Sequence, residues 1–144
     1  MHQHPIPQRR RPAAVVKVVD GDTATFLING VEETTRFIGV DTPETVHPNK
    51  PTECYGPEAS AFTKEMLPIG STVYLEMGEE ERDRYGRLLA YIYLPGGTML
   101  NEILLQKGYG EMLIINPNNR YAAIFAAAEN EARINARGLW NACH

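Results

Sequence analysis

Asn29-Gly30 constrains this chain more than any other pair of residues. Between two β-prone runs, Asn-Gly sets a two-residue hairpin, because both turn positions need positive φ and these two residues adopt it at least cost. The run before it, Ala24-Thr25-Phe26-Leu27-Ile28, and the run after it, Val31 to Val40, are therefore neighbouring antiparallel strands. A second turn signal, Asp20-Gly21-Asp22-Thr23, stands upstream, preceded by the β-branched run Ala13 to Val19. Two tight turns join three strands into a meander.

The remainder supplies two more strands and three helices. Thr45 to Cys54 is a polar loop with two prolines, and its His47 reads as a solvated loop histidine rather than a catalytic one. Gly56-Pro57-Glu58 opens a helix: Pro57 suits the first turn, Glu58 suits the helix dipole, and Ala59, Phe62 and Met66 recur on one face. Thr72 to Met77 and Leu88 to Leu94 read as strands, separated by the charged run Glu79 to Arg84, which reads as a solvated turn. Thr98 is placed to cap a short helix carrying Leu100, Ile103 and Leu104. After a short extended piece, Glu111 to Ile115, an alanine-rich helix covers Arg120 to Arg137, and Leu139-Trp140 folds back as an apolar latch. The order predicts an α+β domain: an OB-fold, a closed five-stranded β-barrel with three α-helices, whose strand face and loops commonly bind oligonucleotides.

One domain over residues 13–144 accounts for the pattern, with residues 1–12 as a disordered tail. Met1 to Arg11 is polar and basic and lacks the apolar core of a signal peptide, so Arg9-Arg10-Arg11 reads as a solvated leader. The formal net charge of −4 argues against a sequence-indifferent nucleic-acid coat, though not against an enzyme with a local basic site. Cys54 and Cys143 are too few for a zinc site, and both a free-thiol and a disulfide reading stand.

The chemistry gathers around Arg36-Phe37-Ile38-Gly39-Val40-Asp41-Thr42-Pro43-Glu44. Strand alternation puts Arg36 and Asp41 on opposite faces, so they can serve one site only if the strand breaks between them; Gly39 is the candidate. Asp22, Asp41 and Glu44 all fall at strand ends or turns. Three carboxylates near one point repel unless a cation joins them, and all-oxygen ligation suits a hard ion, Ca²⁺ or Mg²⁺. Arg36 and Arg87 add the positive charge that can clamp a phosphoryl group. On the residues alone, these groups also fit simple turns and ion pairs at the barrel rim.

Five blocks decide between the readings by resemblance: Val19-Asp20-Gly21-Asp22-Thr23, Arg36 to Glu44, Tyr55-Gly56-Pro57-Glu58-Ala59, Asp83-Arg84-Tyr85-Gly86-Arg87 and Asn101-Glu102. In order and spacing they resemble the staphylococcal nuclease (thermonuclease) family, from about Ala13 to Trp140. The resemblance implies a calcium-dependent endonuclease that hydrolyses phosphodiester bonds of DNA and RNA, single strands preferred, to 3′-phosphate products. It implies Asp22, Asp41 and the Thr42 carbonyl as Ca²⁺ ligands, with Asp20 behind them. Glu44 would orient or deprotonate the attacking water, Arg36 and Arg87 would hold the phosphate, and Arg84 and Tyr85 would touch the nucleotide. A monomer, secreted or periplasmic rather than cytoplasmic, is expected. The chain departs from the family where two tyrosines flank the nucleotide; here those positions are Leu113 and Ile115. The rival expectation is a catalytically silent nuclease-like module that binds nucleic acid or protein.

Overall fold

Alternating burial organises the chain into a barrel. In the computed structural model, which describes residues 9–45, 49 and 51–143, the elements run β1 (Arg10–Asp20), β2 (Thr23–Ile28), β3 (Val31–Phe37), β4 (Gly39–Asp41), α1 (Gly56–Met66), β5 (Thr72–Arg82), β6 (Leu88–Tyr93), α2 (Leu100–Gln106), β7 (Glu111–Leu113), α3 (Ala122–Ile134) and α4 (Leu139–Ala142). Five strands close in the order β1-β2-β3-β6-β5, and β4 pairs with β7 in a separate two-stranded sheet. The expected meander is present, with Ile28 opposite Val31 across the Asn29-Gly30 turn. Closure comes from a parallel pairing of β3 with β6, which sets Thr35 opposite Leu88. Phe26, Phe37, Leu75, Ile92, Leu100, Leu104 and Phe125 fill the core between barrel and helices. No described helix is long and apolar enough to cross a membrane.

Several expectations are corrected. β1 begins at Arg10 rather than Ala13, because Arg10, Arg11 and Pro12 pair with Glu76, Leu75 and Tyr74 of β5. The arginines there are structural rather than a solvated leader: Arg9 donates to Glu76 at 3.1 Å, and the Arg10 guanidinium lies 3.5 Å from the Tyr93 ring centroid. The rest of the expected tail, residues 1–8, and His47 lie outside the described residues. The charged run Glu79–Arg82 is strand rather than turn. Asn118 holds it by accepting from the Glu80 N–H and donating to the Glu80 carbonyl. Met99, not Thr98, occupies the cap of α2, with no side-chain cap bond. The third expected strand, Val31 to Val40, splits into β3 and β4.

The two cysteines form a disulfide, Cys54–Cys143, with a Cα separation of 5.9 Å. It fastens the end of α4 to the segment preceding α1 and closes a sequence separation of 89 residues. In the chain-entropy model such a crosslink stabilises by roughly 4–5 kcal/mol.

The split after Phe37 depends on Gly39. Its φ is +84°, a left-handed conformation that costs any L side chain about 1–2 kcal/mol. A Cβ there would also lie 2.2 Å from Cε2 of the buried Phe125 ring. We expect Gly39→Ala to destabilise the protein by about 2–5 kcal/mol, combining strain with overpacking. Urea unfolding should show a lower midpoint with an unchanged slope.

Candidate active site

The site is built where the β1–β2 turn, the β3–β4 break and the segment after β4 meet. With the chain turned at Gly39, the Arg36 side chain reaches forward over the break. Its Nη1 donates to the carbonyls of Phe37 (3.0 Å) and Val40 (2.7 Å). Its Nη2 lies 3.3 Å from Asp41 Oδ1 and 3.4 Å from Asp22 Oδ2. The break therefore brings together two side chains that strand alternation would separate.

Asp22 and Asp20 lie beneath the rim, both buried. Asp22 accepts from the Thr23 hydroxyl (2.9 Å) and from the Thr42 N–H (2.9 Å), joining the first turn to the segment after β4. Asp20 accepts from its neighbour's N–H at Gly21 and from the Thr45 hydroxyl at 2.8 Å. The close approach of these segments explains Gly21: a Cβ there would sit 2.7 Å from Thr42 Oγ1. Asp20 thus supports the turn from a buried position.

Asp41 and Thr42 line a cleft of about 240 Å³ together with Pro43, Glu53, Glu111 and the disulfide. The Asp41 carboxyl is pushed above the usual carboxylate range: burial is the main cause, Arg36 opposes it, and the charges of Asp22, Glu53 and Glu111 add to it. This is an excess of acid around one point. Among the described residues, no three His, Cys, Asp or Glu side chains are grouped closely enough to hold an ion alone. A cation here would lean on backbone oxygen and water as well as on Asp22 and Asp41. The donors are all oxygen, and the buried Thr42 hydroxyl has no hydrogen-bond partner, so the residues fit a hard divalent ion.

The positive half lies in a second cleft of about 430 Å³, lined by Arg36, Arg84, Tyr85, Arg87, Leu113 and Ile115 among others. Arg87 is aimed by Asp83, which accepts from its Nε at 2.7 Å and from its N–H at 3.0 Å. Burial alone would raise Asp83, but the bonds from the Arg87 side chain and from the Arg87 and Tyr85 N–H groups hold it below the usual range. Arg84 donates to the Tyr85 hydroxyl at 2.7 Å, and the Tyr85 ring is largely exposed. Leu113 and Ile115 present aliphatic surface to the same cleft.

Of the expected site residues, Asp41 and Thr42 line the acidic cleft and Arg36, Arg84, Tyr85 and Arg87 line the basic one, and the contact of Arg36 with Asp41 joins the two. Glu44 stands at the loop, exposed, and lines neither. Its carboxylate makes no hydrogen bond or ion pair among the described residues. Glu53 and Glu111 were missed. Glu111 is set opposite Asp41 by the β4–β7 register, which no local pattern announces. Glu53 sits in a polar loop that carries no periodic signal.

The family model described as Staphylococcal nuclease homologue matches residues 34–142. The chain belongs to this family. It is 42% identical over 127 residues to "Thermonuclease" of Staphylococcus hyicus, covering 88% of this chain and 74% of that protein. It is equally identical over 126 residues to "Thermonuclease" of Staphylococcus intermedius, with the same coverage. "Endonuclease YncB" of Bacillus subtilis (strain 168) is 38% identical over 127 residues, 87% of this chain and 59% of that relative. Family membership bears out the resemblance read from the five blocks, and with it the barrel.

The Asp83–Arg87 pair gives a pH-dependent expectation. A native pKa held below the unfolded value of about 3.9 stabilises the fold above that value and is lost as pH falls through the native pKa. Asp83→Asn should therefore cost about 1 kcal/mol near neutral pH, given the partial exposure of both partners. Unfolding measured from pH 7 to pH 2.5 should show the gap from the parent protein narrowing below pH 4.

Proposed function

We propose that this protein is a calcium-dependent endonuclease, cleaving single-stranded DNA and RNA to 3′-phosphate products as a monomer. The observation that carries this is a cleft with three arginines joined to an acid-rich, oxygen-lined cleft by Arg36, which lines the first and pairs with Asp41 of the second. The names of its relatives support nuclease activity. The disulfide supports an oxidising setting, secreted or periplasmic.

Asp22, Asp41 and the Thr42 backbone carbonyl would hold Ca²⁺. When bound, the ion would supply charge that lowers the cost of bringing an anionic nucleophile to an anionic diester. The side chains do the rest. The exposed Glu44 carboxylate can accept a proton from, or orient, the water that attacks phosphorus. Arg36 has its Nη1 committed to two carbonyls, so its guanidinium plane is fixed before substrate arrives. Arg87 has its Nε committed to Asp83, which leaves both Nη groups to face the phosphoryl oxygens. Donors fixed in this way stabilise negative charge as it builds on those oxygens, without reorganising during the reaction. Water's oxygen bonds to phosphorus as its proton passes to Glu44, the P–O5′ bond breaks, and the 5′ oxygen, its charge offset by Arg87, takes up a proton from solvent as it leaves, so the phosphate stays on the 3′ side.

Hydrolysis of denatured DNA should require Ca²⁺ and stop with a chelator. Glu44→Gln should lower kcat by about 10²–10⁴-fold and Arg87→Ala by about 10²–10³-fold. Products should carry a 3′-phosphate by end-group analysis. Turnover that ignores chelation, or that survives both substitutions, would refute the proposal.

The aliphatic wall at Leu113 and Ile115 offers no ring for base stacking, which is worth about 1–3 kcal/mol per base. Leu113→Tyr combined with Ile115→Tyr should therefore lower KM for single-stranded DNA by about tenfold while leaving kcat near its starting value.

A further inference from the structure

Glu44 raises a mechanical question. It is exposed, it follows a proline, and its carboxylate has no partner among the described residues, yet an acid or base group must be held in place to act. Its backbone is gripped instead. The Glu44 N–H donates to Glu53 Oε1 at 2.8 Å, and the Glu53 N–H donates to the Glu44 carbonyl at 3.0 Å. Gly56 closes against the same segment: its N–H donates to the Glu53 carbonyl at 3.0 Å, and a Cβ on it would lie 2.9 Å from the Glu44 carbonyl oxygen and 2.8 Å from Thr45 Cγ2. Residues 43–45 and 53–56 are therefore one packed unit.

That unit has a covalent anchor. Cys54, next to Glu53, is bonded to Cys143 at the end of α4. α4 is tied in turn to the end of α2, where the Leu139 N–H donates to the Gly108 carbonyl at 2.9 Å. Gly108 and Gly138 also meet too closely for any Cβ at either position. A continuous path of bonds runs from the helical layer through the disulfide to Glu53 and then to the Glu44 backbone.

We propose that Glu53, fastened by the Cys54–Cys143 disulfide, is a positioning residue that fixes Glu44 for its work on water; this rests on the nuclease reading above. The side chain of Glu53 supplies an acceptor to the Glu44 N–H, and the disulfide keeps that acceptor at the right place. Reduction would take two electrons and two protons from an added dithiol. The S–S bond would become two thiols, the dithiol would become a disulfide, and Glu53 would be released from α4.

The test compares the parent protein, Glu53→Ala, Glu53→Gln, the double variant Cys54→Ser with Cys143→Ser, and the combination of that pair with Glu53→Ala. kcat and KM are measured on denatured DNA with Ca²⁺, and exchange of the Glu44 amide proton is followed by NMR. Glu53→Ala should lower kcat about tenfold or more, with KM within about twofold. Glu53→Gln, which keeps an acceptor oxygen, should recover most of the loss. The double serine variant, or the dithiol-reduced parent, should lower kcat severalfold and speed Glu44 amide exchange. In the Glu53→Ala background, removing the disulfide should add nothing, since both changes cut one path. Full kcat in Glu53→Ala, additive losses, or unchanged Glu44 amide exchange would overturn the positioning role. Should Glu53→Ala fail to fold, amide exchange in the reduced parent protein decides the matter. A parent protein inert with Ca²⁺ would instead refute the nuclease reading, and it would do so before any variant is compared.

Discussion

Arg36 belongs to β3, yet its guanidinium bonds the carbonyl of Val40 in the next strand and reaches Asp41 and Asp22. That contact requires the backbone to reverse its side-chain phase within a few residues, and the positive φ of Gly39 does this. A regular strand would bury Arg36 with Val40 and turn Asp41 away. The break also frees Val40 and Asp41 to pair with β7, which carries Glu111 and Leu113 to the rim. One glycine thus places the cation, starts the second sheet and determines which residues face each cleft. The Phe125 ring packed against it makes the arrangement rigid, because no side chain can enter the space.

The two polar centres of the fold differ in a way that separates structure from chemistry. Glu76 is fully buried in β5, and its charge is answered completely: Arg9 and Arg120 pair with it, and the hydroxyl of Tyr121 donates to it at 2.9 Å. Burial and the neighbouring hydroxyl and carboxylate push the Tyr93 phenol up as well, so it stays a neutral donor. A buried carboxylate so fully partnered has no capacity left for a ligand, and removing a partner would leave an uncompensated charge. At the other centre the balance is reversed. Asp22, Asp41, Glu53 and Glu111 outnumber the single arginine that faces them, and their charges add to the burial that chiefly raises the Asp41 carboxyl. A stable fold tolerates such an excess at a solvent-facing rim because water and ions can reach it. The first centre holds the chain together, and the second keeps an excess of carboxylates over arginine.

Much of this was legible in the sequence, for identifiable reasons. The meander followed from Asp20-Gly21 and Asn29-Gly30, because turn chemistry is local. The break at Gly39 followed from a conflict between alternation and the need to co-locate Arg36 and Asp41. Other features depend on contacts distant in sequence and could not be read. The β3–β6 pairing that closes the barrel is parallel, and β4, α1 and β5 lie between the two strands in the chain. Glu79–Arg82 looks like a solvated run, and the bonds between Asn118 and Glu80 and the Arg82–Glu33 pair show how the strand is held there. Arg10 looks like leader sequence until Tyr93 and the β5 edge are beside it. The disulfide stood as an open alternative because pairing depends on a Cα distance that spacing alone does not give. Glu53 was invisible because its role is to hold a backbone amide, and any polar loop contains residues of that kind.

The charge arrangement also resolves an apparent contradiction between an acidic chain and an anionic substrate. With a net charge of −4, the protein has no broad field to draw in a polyanion. What it has is orientation. Arg36 is fixed by two carbonyls and two carboxylates, Arg87 by Asp83, and Arg84 by the Tyr85 hydroxyl. Each cation has given up part of its hydration and rotamer freedom in the folded protein, so little of either remains to be lost when a phosphate arrives. The carboxylates that make the chain acidic are in part the groups that aim its arginines. Lowering the net negative charge by neutralising Asp83 or Asp22 would strengthen the general attraction for nucleic acid, but it would loosen the arginines those carboxylates hold. A small general attraction for polyanions and firm positioning of the arginines therefore arise from the same residues, and under the proposed nuclease reading positioning is what the transition state requires.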